Sequence, residues 1–118
     1  MSERKRVLVV DDEMLVAMML EDMLDDLGYQ VVGPAASLKQ AMDLAQSEAL
    51  DCAILDLNLG QGVVSTPVAE LLRERGVPFL LATGYGASAE TDRLGHAGLL
   101  GKPFSTSDVE NALKATLG

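Results

Sequence analysis

The 118-residue sequence is poor in aromatic residues, with two Phe, two Tyr and no Trp, 3% in all. Its core must therefore be aliphatic and rich in methionine. Cysteine is almost absent. Cys52 is alone, so no internal disulfide can form and an oxidising compartment is not implied. It lies inside an apolar run, which reads as a buried inert thiol rather than a nucleophile. His96 is the only histidine, which excludes a zinc site of His and Cys ligands. Positive charge is scarce as well. Nine Lys and Arg stand against eighteen Asp and Glu, a net charge of −9 that argues against nucleic acid or an anionic membrane as a direct partner. The basic start, Arg4, Lys5 and Arg6, reads as solvated charge ahead of a first strand. No apolar stretch is long enough to cross a bilayer. The run after the basic start stops at Asp11-Asp12 without a small-residue cleavage site, so it is not an export signal. A cytoplasmic protein is expected. Linkers, repeats and low-complexity tracts are missing too, and the length suits a single domain spanning 1–118.

An alternation of strand and helix patterns fills the chain. Val7–Val10 is a short β-branched run of the kind buried on both faces of a sheet. From Glu13 the period becomes helical, with Leu15, Met18, Met19, Met23 and Leu27 as the expected inner face and Gly28 as a left-handed stop. Tyr29–Val32 reads as a second strand closed by Gly33-Pro34. Ser37 and Gln40 form a capping box ahead of a helix whose apolar face is Leu38, Ala41, Met42 and Ala45. A third strand is expected over Asp51–Leu57. Thr66-Pro67 then supply an N-cap and first helical residue. That helix, containing Leu71 and Leu72, runs to Gly76, and Val77–Ala82 is the fourth strand. Gly84–Gly95 has little periodicity, and a fourth helix from Ser88 is expected to be short or mobile. Ala97–Leu100 is the fifth strand, and Ser105 caps a last helix with Val109, Ala112, Leu113 and Leu117 inward. Strands separated by helices predict an α/β fold, a doubly wound parallel sheet with helices on both faces.

Four of the apolar runs end in residues suited to phosphate chemistry: Asp11-Asp12, Asp56, Thr83 and Lys102. In a parallel sheet these ends share one edge, where open α/β sheets bind ligands. Three crowded carboxylates repel one another unless a cation neutralises them, and carboxylate oxygens suit Mg²⁺. Taken singly, Asp12 is a helix cap, Asp56 a strand end, Thr83 a turn hydroxyl and Lys102 a solvated charge. Together, a carboxylate nucleophile with a metal, a lysine and a hydroxyl around it is sufficient apparatus for phosphoryl transfer. Gly84-Tyr85-Gly86-Ala87-Ser88-Ala89 matches the dinucleotide fingerprint formally. It follows the fourth strand rather than the first, and no acidic residue ends a following strand at the usual distance.

In order and spacing, Asp11-Asp12, Asp56, Thr83-Gly84 and Lys102-Pro103 resemble the receiver domain of two-component response regulators, from Arg6 to Leu117. The resemblance implies a flavodoxin-like five-stranded sheet of order 2-1-3-4-5. It implies Asp56 as the phosphoacceptor, charged by a histidine kinase or histidine phosphotransfer protein in a phosphorelay. It also implies that Asp12, Asp56 and the backbone carbonyl of Asn58 hold Mg²⁺, with Asp11 helping through water, and that Thr83 and Lys102 contact the phosphoryl group. Two positions depart from the usual pattern: Leu99 stands where a switch aromatic is typical, and Gly60 where many receivers have proline. Pro78–Tyr85 is similar to the divergent receiver subclass with a PFxFATGY-type motif, Leu81 replacing its second Phe. The response is then expected in the Gly84–Gly95 loop with Tyr85. The last helix ends at the chain end, so output is expected through a downstream protein partner or onward transfer. Two other readings stand beside this one. The first is an aspartyl-phosphate phosphatase of the haloacid dehalogenase type, loosely suggested by Asp56-Leu57-Asn58. The second is a phosphorylation-independent pseudo-receiver.

Overall fold

In the computed structural model, residues 4–60, 62–84 and 95–117 are described. The elements run β1 (Arg6–Val10), α1 (Met14–Asp26), β2 (Gln30–Ala35), α2 (Leu38–Ser47), β3 (Cys52–Asp56), α3 (Thr66–Glu74), β4 (Phe79–Thr83), β5 (Gly98–Gly101) and a C-terminal helix, α4 (Thr106–Leu117). The strands form one sheet of order β2-β1-β3-β4-β5, and every neighbouring pair is parallel. β3 and β4 are buried along their whole length, as their unbroken apolar sequences require. The fourth helix expected from Ser88 lies outside the described residues, as does Tyr85.

Alternate residues of each strand feed two separate cores. Leu8, Val10, Ala53, Leu55, Phe79 and Leu81 pack with Ala41 and Ala45 of α2 and with Val68, Ala69 and Leu72 of α3. Val7, Val9, Cys52, Ile54, Leu80 and Ala82 pack with Leu20 and Leu24 of α1 and with Val109 and Leu113 of α4. This is the doubly wound arrangement that the alternating pattern predicts, and its strand order is the flavodoxin-like one that the resemblance implies.

Local chemistry sets most of the element ends. The Ser37 hydroxyl accepts from the Gln40 N–H at 3.2 Å, and the Gln40 side chain returns to the Ala36 N–H, also at 3.2 Å. At α4 the Ser105 hydroxyl accepts from the Asp108 N–H (3.1 Å) while Asp108 accepts from the Ser105 N–H (2.8 Å), a complete capping box. α3 is capped one residue earlier than expected. The buried Ser65 precedes it, and its carbonyl accepts from Val68 and Ala69.

Two further expectations are corrected. Leu15, Met18 and Met19 do not face the core; they are 77%, 52% and 49% exposed, while Ala17, Leu20 and Leu24 turn inward. Met14–Leu20 is apolar all round the helix, so its period does not single out one face. Gly33-Pro34 does not close β2, which continues to Ala35 past a register shift. β2 is an edge strand, where proline's missing donor faces no neighbour.

Candidate functional site

The C-terminal ends of β1, β3, β4 and β5 bring the predicted residues together. Just past β1, the Asp11 N–H donates to the Ala35 carbonyl (3.0 Å), which pins this turn against the end of β2. Asp11 Oδ1 accepts from the Glu13 N–H at 2.9 Å, an Asx turn that starts α1. Asp11 is buried and Asp12 exposed. Asp56, the buried last residue of β3, accepts from the Asn58 N–H on Oδ1 (3.2 Å) and from Lys102 Nζ on Oδ2 (3.0 Å). Lys102 Nζ also lies 3.4 Å from Asp11 Oδ2 and 3.5 Å from Glu13 Oε1. The lysine backbone is fixed by its own N–H, which donates to the Thr83 carbonyl at 2.9 Å.

Thr83 is buried at the end of β4, one residue beyond the Ala82 that pairs with Asp56. Asn58 is exposed at the start of the β3–α3 loop, in an isolated antiparallel bridge with Val64. The Leu59 N–H to Val63 carbonyl bond (2.8 Å) and the Ser65 N–H to Leu57 carbonyl bond (2.9 Å) close that loop on itself.

Each of Asp11, Asp12 and Asp56 offers a carboxylate oxygen, and the three oxygens lie within 4.8 Å of one another. A converging set of hard oxygen donors at this spacing fits Mg²⁺. The electrostatics agree. Burial pushes the Asp11 carboxyl above its ordinary value and the Asp56 charge adds to this, while the Glu13 N–H and Lys102 oppose it. Burial acts to lower Lys102, but its hydrogen bond to Asp56 and the charges of Asp11, Asp56 and Glu13 outweigh that and raise it. The ammonium therefore stays charged among the acids, yet among the described residues this one cation meets three carboxylates. Cys52 sits in the α1–α4 core, where burial pushes its thiol up to about 12, so it is no nucleophile.

Glu13 is the residue that the sequence conceals. As the third acid after β1 it reads as the start of a helix, and its approach to Lys102 depends on where β5 lies. Leu99, half-buried against the α2–α3 core, pairs across the sheet with the buried Leu81. The two leucines that depart from aromatic positions are thus direct neighbours. Most of the Gly84–Ala89 fingerprint lies outside the described residues. Among those described, no helix is long and apolar enough to cross a membrane.

The family model for the response regulator receiver domain matches residues 7–114. The transcriptional regulatory protein PdtaR of Mycobacterium tuberculosis is 31% identical over 113 residues, covering 93% of this chain and 55% of PdtaR. The chain thus spans about half the length of that relative. Chemotaxis protein CheY of Thermotoga maritima is 27% identical and covers 92% of this chain and 94% of its own. The solution structure of SdrG from Sphingomonas melonis Fr1 superposes with a TM-score of 0.84 at 40% identity, with both chains covered completely. By fold, by strand order and by this match over nearly its whole length, the chain belongs to the response regulator receiver domain family.

Proposed function

We propose that the chain is a Mg²⁺-dependent phosphoacceptor unit, spanning 1–118, in which Asp56 receives a phosphoryl group from a phosphohistidine. The donor is a histidine kinase or histidine phosphotransfer protein, and the signal leaves by binding a downstream protein partner or by onward transfer. One observation carries this reading: Asp56 Oδ2 lies 3.0 Å from Lys102 Nζ, inside a cluster of three carboxylates whose oxygens lie within 4.8 Å of one another.

In the transfer, a carboxylate oxygen of Asp56 attacks phosphorus and the P–N bond breaks, its electron pair leaving with the imidazole nitrogen. Lys102 neutralises charge on the phosphoryl oxygens, and the Thr83 hydroxyl at the next strand end donates to one of them. The Asn58 N–H fixes the orientation of the Asp56 carboxylate. Asp12, Asp56 and the Asn58 carbonyl would hold the metal, and Asp11 would assist. Bound Mg²⁺ supplies charge neutralisation that Lys102 alone does not provide.

A donor protein reaching Asp56 must also cover the first turns of α1, which begin beside Asp12. There Met14, Leu15, Met18 and Met19 are all about half exposed or more, an apolar face suited to a protein partner rather than nucleic acid. Within this reading the domain acts in the cytoplasm, as the absence of an export signal in the sequence suggests. The phosphatase alternative lacks its second carboxylate, since Asn58 stands there.

Incubation with Mg²⁺ and acetyl phosphate, followed by intact-mass measurement, tests the reading. The expected result is a single phosphoryl adduct that is absent in Asp56→Asn, with the fold of that variant retained by circular dichroism. Phosphorylation of Asp56→Asn at the normal rate overturns the assignment, and rapid turnover of many phosphate esters favours the phosphatase.

A further inference from the structure

Gly60 lies four residues past Asp56 in the β3–α3 loop, with φ of +85°. Its backbone carbonyl accepts from the Val63 N–H at 2.9 Å, which holds the loop in a tight turn. A Cβ at this position would lie 2.8 Å from Asp12 Oδ2, closer than such atoms approach one another. The volume that a side chain would fill is thus the volume in which the Asp12 carboxylate rests. That carboxylate is one of the three whose oxygens converge.

We infer that Gly60 is a positioning residue for Asp12: by lacking a Cβ it lets the exposed carboxylate lean over the β3–α3 loop into the cation site. The inference rests on the proposed Mg²⁺ site and assigns part of its affinity to a residue that ligates nothing. The physical argument separates two effects of any substitution. The clashing atom is the free end of an exposed side chain, so Asp12 can swing away at little cost to the fold. Swinging away removes a carboxylate from the site, so the penalty falls on cation affinity.

Gly62, two residues along, provides a matched control. Its φ is +78°, so an added side chain meets the same left-handed strain, but nothing lies within 4 Å of the Cβ it would gain. Gly60→Ala and Gly62→Ala therefore share the backbone penalty and differ in the contact with Asp12.

Isothermal titration with MgCl₂ on the wild type, Gly60→Ala, Gly62→Ala, Asp12→Ala and the Gly60→Ala/Asp12→Ala double variant tests the inference, with thermal melts of the metal-free proteins alongside. The expected result is similar melting of the two glycine variants, Gly62→Ala within about twofold of wild type in Mg²⁺ affinity, and Gly60→Ala weaker by about tenfold. The double variant binds no more weakly than Asp12→Ala alone, because both changes act through one carboxylate. Equal affinities for Gly60→Ala and Gly62→Ala overturn the inference, as do additive losses in the double variant. Absence of Mg²⁺ binding by the wild type overturns the proposed site itself, and the inference with it. If Gly60→Ala melts near the assay temperature, Gly60→Asn and Gly62→Asn repeat the comparison, since asparagine tolerates positive φ better while carrying the same Cβ.

Discussion

Lys102 makes its three carboxylate contacts from one ammonium, and the consequences of removing it divide cleanly. Without it Asp11, Asp56 and Glu13 lose their only close cation among the described residues. A dication then enters a more negative site, so Lys102→Ala is expected to bind Mg²⁺ at least as tightly as wild type in titration calorimetry. The same variant should take up phosphate from acetyl phosphate at least about tenfold more slowly, because charge on the transferring group goes unanswered. Cys52 sets a second test. Its pKa rises from 9.0 to about 12 on burial, so the folded state holds the thiol proton more tightly than the unfolded chain. The resulting stability is fully present below the unfolded pKa and is lost as pH rises toward about 12. Melting temperature should fall over that alkaline window, and less steeply in Cys52→Ala, which carries a cavity penalty of about 1 kcal/mol at all pH values. Iodoacetamide at about pH 8 should leave the folded thiol unmodified and label it once urea unfolds the chain.

At the level of elements, α1 presents two apolar faces, one buried and one exposed. Leu24 is fully buried against the sheet, and Leu24→Ala should cost about 2–5 kcal/mol in urea denaturation. Met18 lies on the exposed face, and Met18→Glu should change stability by no more than about 0.5 kcal/mol. The same change should slow phosphotransfer from a phosphohistidine protein by about tenfold while leaving uptake from acetyl phosphate unaltered. The division between these faces is the part of the fold least legible in the sequence. β3 and β4 are readable because strands buried on both sides are unbroken apolar runs, and their ends announce Asp56 and Thr83 directly. α4 is readable because Val109 and Leu113 stand among polar neighbours. In α1 the segment Met14–Leu20 is apolar on every side, and only the position of the sheet selects Ala17 and Leu20 over Leu15 and Met18. Pro34 misleads in a related way: proline signals a stop in general, but an unpaired edge tolerates it. Gly60 is visible as a departure from proline, whereas its closeness to Asp12 emerges only when the β3–α3 loop lies over the start of α1.

The whole molecule is a five-stranded sheet between two aliphatic cores, carrying a net charge of −9 with an acid cluster at one edge. A cation bound there stabilises the folded state alone. Melting temperature should therefore climb with added MgCl₂, by the equivalent of about 2.7 kcal/mol at about one hundred times Kd, and return on chelation with EDTA. In Asp12→Ala the same concentrations should give a much smaller rise. The ammonium that completes the edge arrives from far along the chain: Lys102 meets Asp11 across 91 residues and Asp56 across 46. Contacts of such long sequence separation close late, because the loop entropy they demand is repaid only when intervening strands have paired. A nascent or partly unfolded chain therefore displays its acids without the lysine beside them. Uptake from acetyl phosphate during refolding should therefore lag behind the return of secondary structure, which pulsed labelling followed by intact-mass measurement would show.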